Sequence, residues 1–160
     1  MPSISLPLDP AGRPIVSIGV YLSLPRASAM KADGLPLPKP FLGSGLIDTG
    51  ASGTAIDASV VAALGLVATG STPVHTPKTG SIPKICNCYD VSFWFMSQAA
   101  SASQPSDVHL IHPSHITLPV MEATLLNQGF HALIGRDILA HCHMSYDGRA
   151  KSFILTFDPS

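Results

Sequence analysis

A chain of 160 residues with 46% hydrophobic content is long enough to build a sizeable core, and its 12% of charged residues leave a formal charge of only −1. That balance excludes the basic surface needed to neutralise a nucleic-acid backbone, and the steady recurrence of apolar residues excludes disorder. Thirteen glycines and fifteen prolines break the chain too often for a helical bundle, so many short strands joined by turns are expected, within one domain spanning residues 1–160.

The opening residues, Met1-Pro2-Ser3-Ile4-Ser5-Leu6-Pro7, lack a basic segment and an uninterrupted apolar stretch. The longest apolar run, Val60 to Ala68, falls far short of the ~20 residues of a membrane span, so neither a signal peptide nor a membrane segment is expected. Ile15 to Leu24, rich in β-branched residues and bounded by Pro14 and Pro25, predicts a strand. Pro36, Pro38 and Pro40 then form an exposed connector, and Leu42 to Ile47 predicts a second strand that runs straight into the turn-rich Asp48-Thr49-Gly50-Ala51-Ser52-Gly53.

Asp57 to Leu66 is the best helical segment, with Asp57 or Ser59 as cap and Gly65 or Gly70 as terminator. The polar, proline-broken stretch from Gly70 to Gly80 leads into a strand over Tyr89 to Phe95 and predicts a projecting hairpin. Ser97 to Pro113 has the composition of a surface insertion, with His109, His112 and His115 on or beside it, and Ile116 to Leu126 predicts a strand. His131 to Leu139 reads as an apolar strand that stops at Gly135 and turns helical at Asp137. A closing hairpin follows: Met144 to Tyr146, the turn Asp147-Gly148, and Ser152 to Phe157.

Leu46-Ile47-Asp48-Thr49-Gly50-Ala51 sets a carboxylate at the end of an apolar strand, before a hydroxyl and a residue free to take unusual backbone angles. The expectation is a buried acid with local hydrogen-bond donors. A second apolar pair, Leu133-Ile134, runs into Gly135-Arg136-Asp137 far along the chain. Together the two motifs resemble those of the retropepsins, the retroviral-type aspartic proteases, and the resemblance spans about residues 15–157, nearer to non-viral members than to viral ones.

That resemblance implies a mostly-β, single-domain retropepsin-like acid protease fold: a closed, barrel-like half with one or two short helices. It implies that Asp48 is catalytic, that Thr49 bonds across a dimer, that Gly50 admits the substrate backbone, and that Ala51 and Ser52 line the floor. Leu133, Ile134, Gly135, Arg136 and Asp137 would pack beneath the loop. His75, Thr76, Pro77, Lys78, Thr79 and Gly80 would form a flap over an extended peptide.

The reaction takes two carboxyl groups and the chain supplies one Asp-Thr-Gly, so a homodimer with Asp48 of each subunit at a two-fold axis is expected, needing no cofactor, metal, membrane or nucleic acid. Viral members often carry an acid four residues after the catalytic aspartate, paired with the arginine. Here that position is Ser52, which leaves Arg136 to find a carbonyl or Asp57.

Two other readings stand beside this one. The same dimeric groove could hold a peptide without cutting it, as a catalytically inactive binding module. Cys86, Cys88, His141, Cys142 and His143 could supply soft ligands to a metal, although their spacing lacks the paired intervals of a zinc finger. For Arg136 and Asp137, a purely structural role at a helix start is expected. Phe93, Trp94 and Phe95 are expected in the core or at an interface. Three cysteines, an odd number, do not suit a disulfide framework, and a reducing, cytoplasmic setting is expected.

Overall fold

The computed structural model describes residues 3–76, 79–96 and 115–157, and runs rich in β-branched and apolar residues form most of its strands. The strands are β1 (Ser3–Pro7), β2 (Ile15–Leu22), β3 (Phe41–Ile47), β4 (Ala55–Asp57), β5 (Gly70–Val74), β6 (Lys84–Met96), β7 (Ile116–Ala123), β8 (Ala132–Ile134), β9 (Cys142–Asp147) and β10 (Ser152–Phe157). The helices are α1 (Leu24–Ala32), α2 (Ala58–Leu64) and α3 (Arg136–Leu139), with a 3-10 turn at Leu126–Gln128.

A seven-stranded sheet runs in the order β2-β3-β8-β4-β7-β6-β5, and β2 also pairs with β6. That extra pairing closes six strands into a barrel and leaves β5 outside as the partner of β6 alone. A second sheet, β1-β10-β9, is antiparallel throughout. The mostly-β closed barrel matches the expected fold class.

The barrel interior is filled by alternate residues: Val16, Ile18 and Val20 from β2, Tyr89, Val91, Phe93 and Phe95 from β6, and Leu118 and Val120 from β7. Phe153, Leu155 and Phe157 of β10 join the same core, and the Phe95 and Phe157 rings meet at 5.1 Å between centroids. Truncating any of these phenylalanines to alanine removes about 3–5 kcal/mol of stability. Trp94 points the opposite way to its neighbours and lies flat over Gly19, where a Cβ would fall 2.0 Å from the indole. His115 stacks on the indole at 4.7 Å between ring centroids.

Several boundaries differ from the sequence-based expectation. The strand expected to reach Leu24 ends at Leu22, because Pro25 opens α1 in its first turn, where a missing N–H costs nothing. None of the residues in α1 is buried, so no apolar stripe announces it, and it brings the α-helices to three where one or two were expected. The strand expected over Tyr89 to Phe95 extends over Lys84–Met96, and the one expected over Ile116 to Leu126 stops at Ala123. β1 has no counterpart in the sequence-based reading; it pairs antiparallel with β10 and buries Ile4 in the core. The expected insertion over Ser97 to Pro113 lies outside the described residues. Among those described, no helix is long and apolar enough to cross a membrane.

Among the described residues, one buried side-chain group is unsatisfied. Ser92 is 0% exposed, and its Oγ has no hydrogen-bond partner. An unpaired buried hydroxyl carries a desolvation cost with no compensating bond. Ser92→Ala is therefore expected to stabilise the fold by about 1 kcal/mol, read as a raised urea midpoint at unchanged slope; a lower midpoint would contradict this account of the site.

Candidate active site

β8 lies between β3 and β4, parallel to the first and antiparallel to the second, although β3 and β4 are the strands joined directly by residues 48–54. Ile47 and Ile134 are register partners in the parallel pair. Parallel strands that end together send their next residues off the same edge, so Asp48 and Gly135 leave the sheet side by side.

Backbone bonds fix the two segments to each other. Asp48 N–H donates to the Ile134 carbonyl at 2.9 Å, and Arg136 N–H donates to the Ala51 carbonyl at 2.9 Å. The Arg136 side chain adds a third bond, Nη1 to the Thr49 carbonyl at 3.0 Å. Of the two partners expected for Arg136, the carbonyl is the one found. At Gly135 a Cβ would fall 2.5 Å from both the carbonyl carbon and the oxygen of Gly53, so only glycine permits this approach.

Thr54 and Asp137 complete the clamp. Thr54 N–H reaches Asp137 Oδ2 at 2.9 Å, and the Thr54 hydroxyl donates to Oδ1 at 2.7 Å. That hydroxyl in turn accepts Gly135 N–H at 3.1 Å, and Asp137 Oδ1 also takes Ile138 N–H at 2.8 Å at the start of α3. The structural role expected of Asp137 is thus internal bracing. Nothing in the sequence singles out Thr54, since its partner stands 83 positions away.

Asp48 is half-buried, against the expectation of a buried acid, and one local donor serves it: Gly50 N–H on Oδ1 at 2.8 Å. Among the described residues no group bonds to its other oxygen. Thr49, Gly50 and Ser52 are exposed and Ala51 is half-buried, so the loop presents its crest outward.

The second parallel pair, β4 with β7, repeats the geometry of the first, with Asp57 and Ala123 as register partners. Asp57 therefore meets the chain that follows β7. Its Oδ2 accepts Leu125 N–H at 2.7 Å and Leu126 N–H at 2.8 Å, while Oδ1 caps α2 by accepting Ser59 N–H at 2.8 Å. These two bonds to Leu125 and Leu126 are also why β7 gives way to a turn. Burial alone would raise the Asp57 pKa, but the N–H groups of Leu125, Ser59 and Leu126 hold the carboxyl well below the usual carboxylate range.

Beside the loop runs an apolar band that no single segment of sequence reveals. Ile15 pairs with Leu46, Leu46 with Leu133, Leu133 with Ala55, Ala55 with Met121, and Met121 with Cys88. Register partners share a face, so this row crosses six strands on the side of the sheet away from the main core. Leu125 and Phe130 pack against it. The band reaches the loop at Gly53, where a Cβ would lie 3.3 Å from Met121 Cε.

Of the candidate flap residues, His75, Thr76, Thr79 and Gly80 lie in the connection between β5 and β6. Thr76 N–H donates to Thr79 Oγ1 at 2.9 Å, the Thr79 hydroxyl returns a bond to the Thr76 carbonyl at 3.0 Å, and Gly80 takes φ +59°. Pro77 and Lys78 lie outside the described residues. Close behind them in the chain, Ile82 and Ile85 are 77% and 63% exposed.

The cysteine and histidine residues weighed as metal ligands do not converge. Cys86 and Cys88 lie on β6, Cys142 and His143 on β9 in the other sheet, and the described residues hold no group of three His, Cys, Asp or Glu able to hold an ion. Cys86 and Cys88 are free thiols. Burial, with Cys86 and Asp90 nearby, raises the Cys88 thiol's pKa and disfavours the thiolate that a metal requires.

No family model and no curated protein sequence matches the chain. Its fold matches the crystal structure of a retropepsin-like aspartic protease from Rickettsia conorii, with a TM-score of 0.52 and 13% identity, over 97% of this chain and 90% of that one. At that identity the likeness is one of fold.

One substitution tests the clamp at Gly135 and another the brace at Asp57. Gly135→Ala must push Gly53 aside and is expected to cost about 2 kcal/mol or more in denaturant unfolding. Asp57→Asn removes the charge that three N–H groups face and is expected to cost about 2 kcal/mol at neutral pH. Because folding lowers the Asp57 pKa, its contribution is complete above about pH 4 and fades as the pH falls further, so the stabilities of the wild type and the Asp57→Asn variant should converge in acid. A constant difference down to about pH 2 would refute that assignment.

Proposed function

We propose that this chain is an aspartic endopeptidase that works as a homodimer, with Asp48 of each subunit meeting across a two-fold axis. One observation carries the reading: Asp48 stands at the crest of an outward-facing loop, with one carboxylate oxygen anchored by Gly50 N–H and the loop braced by Gly135, Arg136 and Asp137. The retropepsin-like fold and the Asp-Thr-Gly sequence support it.

Two carboxyl groups in contact do not readily ionise together, so one keeps its proton. The ionised carboxylate takes a proton from water as its oxygen attacks the peptide carbonyl carbon. The protonated partner donates to the carbonyl oxygen, and the tetrahedral intermediate collapses with a proton delivered to the leaving amine. In this reading Thr49 ties the two loops together, Gly50 admits the substrate backbone, and the residue 75–80 hairpin tip closes over it. The band of Leu46, Leu133, Ala55 and Met121 offers an apolar floor, so extended peptides with apolar side chains near the scissile bond are the substrate class. Cys86 and Cys88 as free thiols fit a reducing, cytoplasmic setting.

Asp48→Asn keeps an oxygen for Gly50 N–H but removes the acid. It is expected to lower cleavage of a peptide library by a factor of about 10²–10⁴ with the unfolding midpoint little changed. Undiminished cleavage by the folded variant would overturn the mechanism. Peptide binding by a wild-type protein that cleaves nothing would favour the inactive binding module instead.

A further inference from the structure

Among the described residues, the carboxylates of Asp48, Asp57 and Asp137 are engaged by neutral donors. Asp48 Oδ1 takes Gly50 N–H, both oxygens of Asp137 are held by Thr54 and Ile138, and both oxygens of Asp57 by Ser59, Leu125 and Leu126. The one guanidinium at the loop, Arg136, pairs with none of them. Among the described residues the only salt bridge is Arg13 with Asp9.

Arg136 is nevertheless oriented. Its backbone N–H is bound to the Ala51 carbonyl and its Nη1 to the Thr49 carbonyl, while the side chain stays exposed. Thr49 adjoins Asp48, so a fixed cation with unused N–H donors stands at the rim of the loop. Ser52, next to Ala51, is exposed and uncharged and offers no counter-charge.

From this arrangement we infer that Arg136 receives a substrate carboxylate, making the site selective for peptides that carry a negative charge within a few residues of the scissile bond. The inference rests on the endopeptidase reading and extends it to substrate choice. A planar guanidinium matches a carboxylate through two parallel N–H bonds, and either an acidic side chain or a peptide's terminal carboxylate supplies that chemistry.

The test uses the full chain and a cleaved parent peptide in which Glu, or its amide Gln, is placed at each of three positions on either side of the scissile bond. A second pair carries a free or an amidated C-terminus. At one position, or at the free terminus, kcat/KM should favour the charged peptide by about fivefold or more, and which arm responds identifies the source of the carboxylate. Ser52→Asp should collapse that ratio toward one by giving Arg136 an internal partner, whatever it does to the overall rate.

Equal cleavage of charged and amide peptides overturns the inference and leaves the endopeptidase reading intact. A preference that survives Ser52→Asp also overturns it, since another cation is then the receiver. If no peptide is cleaved, the endopeptidase reading fails, and equilibrium binding of the same peptides decides the carboxylate site: tighter binding of the charged member supports it and equal binding overturns it.

Discussion

The structure depends on the hydrogen-bonded contact between residues 48–54 and residues 134–137. A loop that leaves a sheet edge and returns past an intervening strand has few backbone partners of its own, and an unpaired polar group shielded from water is costly. Here the Ile134 carbonyl, the Arg136 N–H and guanidinium, and the Asp137 carboxylate supply those partners. The absence of a side chain at Gly135 allows the backbones to touch. The acid at position 48 is therefore presented by a braced turn, which limits the conformational entropy lost in the proposed dimer and substrate complex.

The same device is used twice. Each of two parallel strand pairs, β3 with β8 and β4 with β7, ends in register and sends two chain segments out together. In the first, an aspartate of the returning segment, Asp137, holds the loop; in the second, Asp57 at the end of β4 holds the segment after β7. Both carboxylates serve backbone N–H groups and neither pairs with a cation, which separates these bracing acids from Asp48, whose carboxylate is left largely open.

Much of this is legible in the sequence because it is local. Asp57 and Gly65 mark the ends of α2 as cap chemistry demands, and β-branched and apolar runs locate much of the barrel. The two motifs at 48–51 and 133–137 stand out through residue types that only an unusual turn or a close approach requires. What escapes is long-range or silent. Thr54 is an ordinary loop residue until Asp137 arrives, and the apolar band from Ile15 to Cys88 exists only in the register of six strands. The helix α1 buries nothing, so its sequence shows no amphipathic stripe, and Pro25 reads as a strand stop before it reads as a helix start.

In the proposed mechanism each chain supplies one catalytic acid, so association is part of the chemistry; β1 and β10 pair with each other within the chain. The most direct measurement is sedimentation equilibrium alongside peptide cleavage over the same range of protein concentrations. The paired-aspartate account predicts that cleavage per chain falls on dilution in step with the dimer fraction. Full cleavage per chain by a solution of monomers would contradict it.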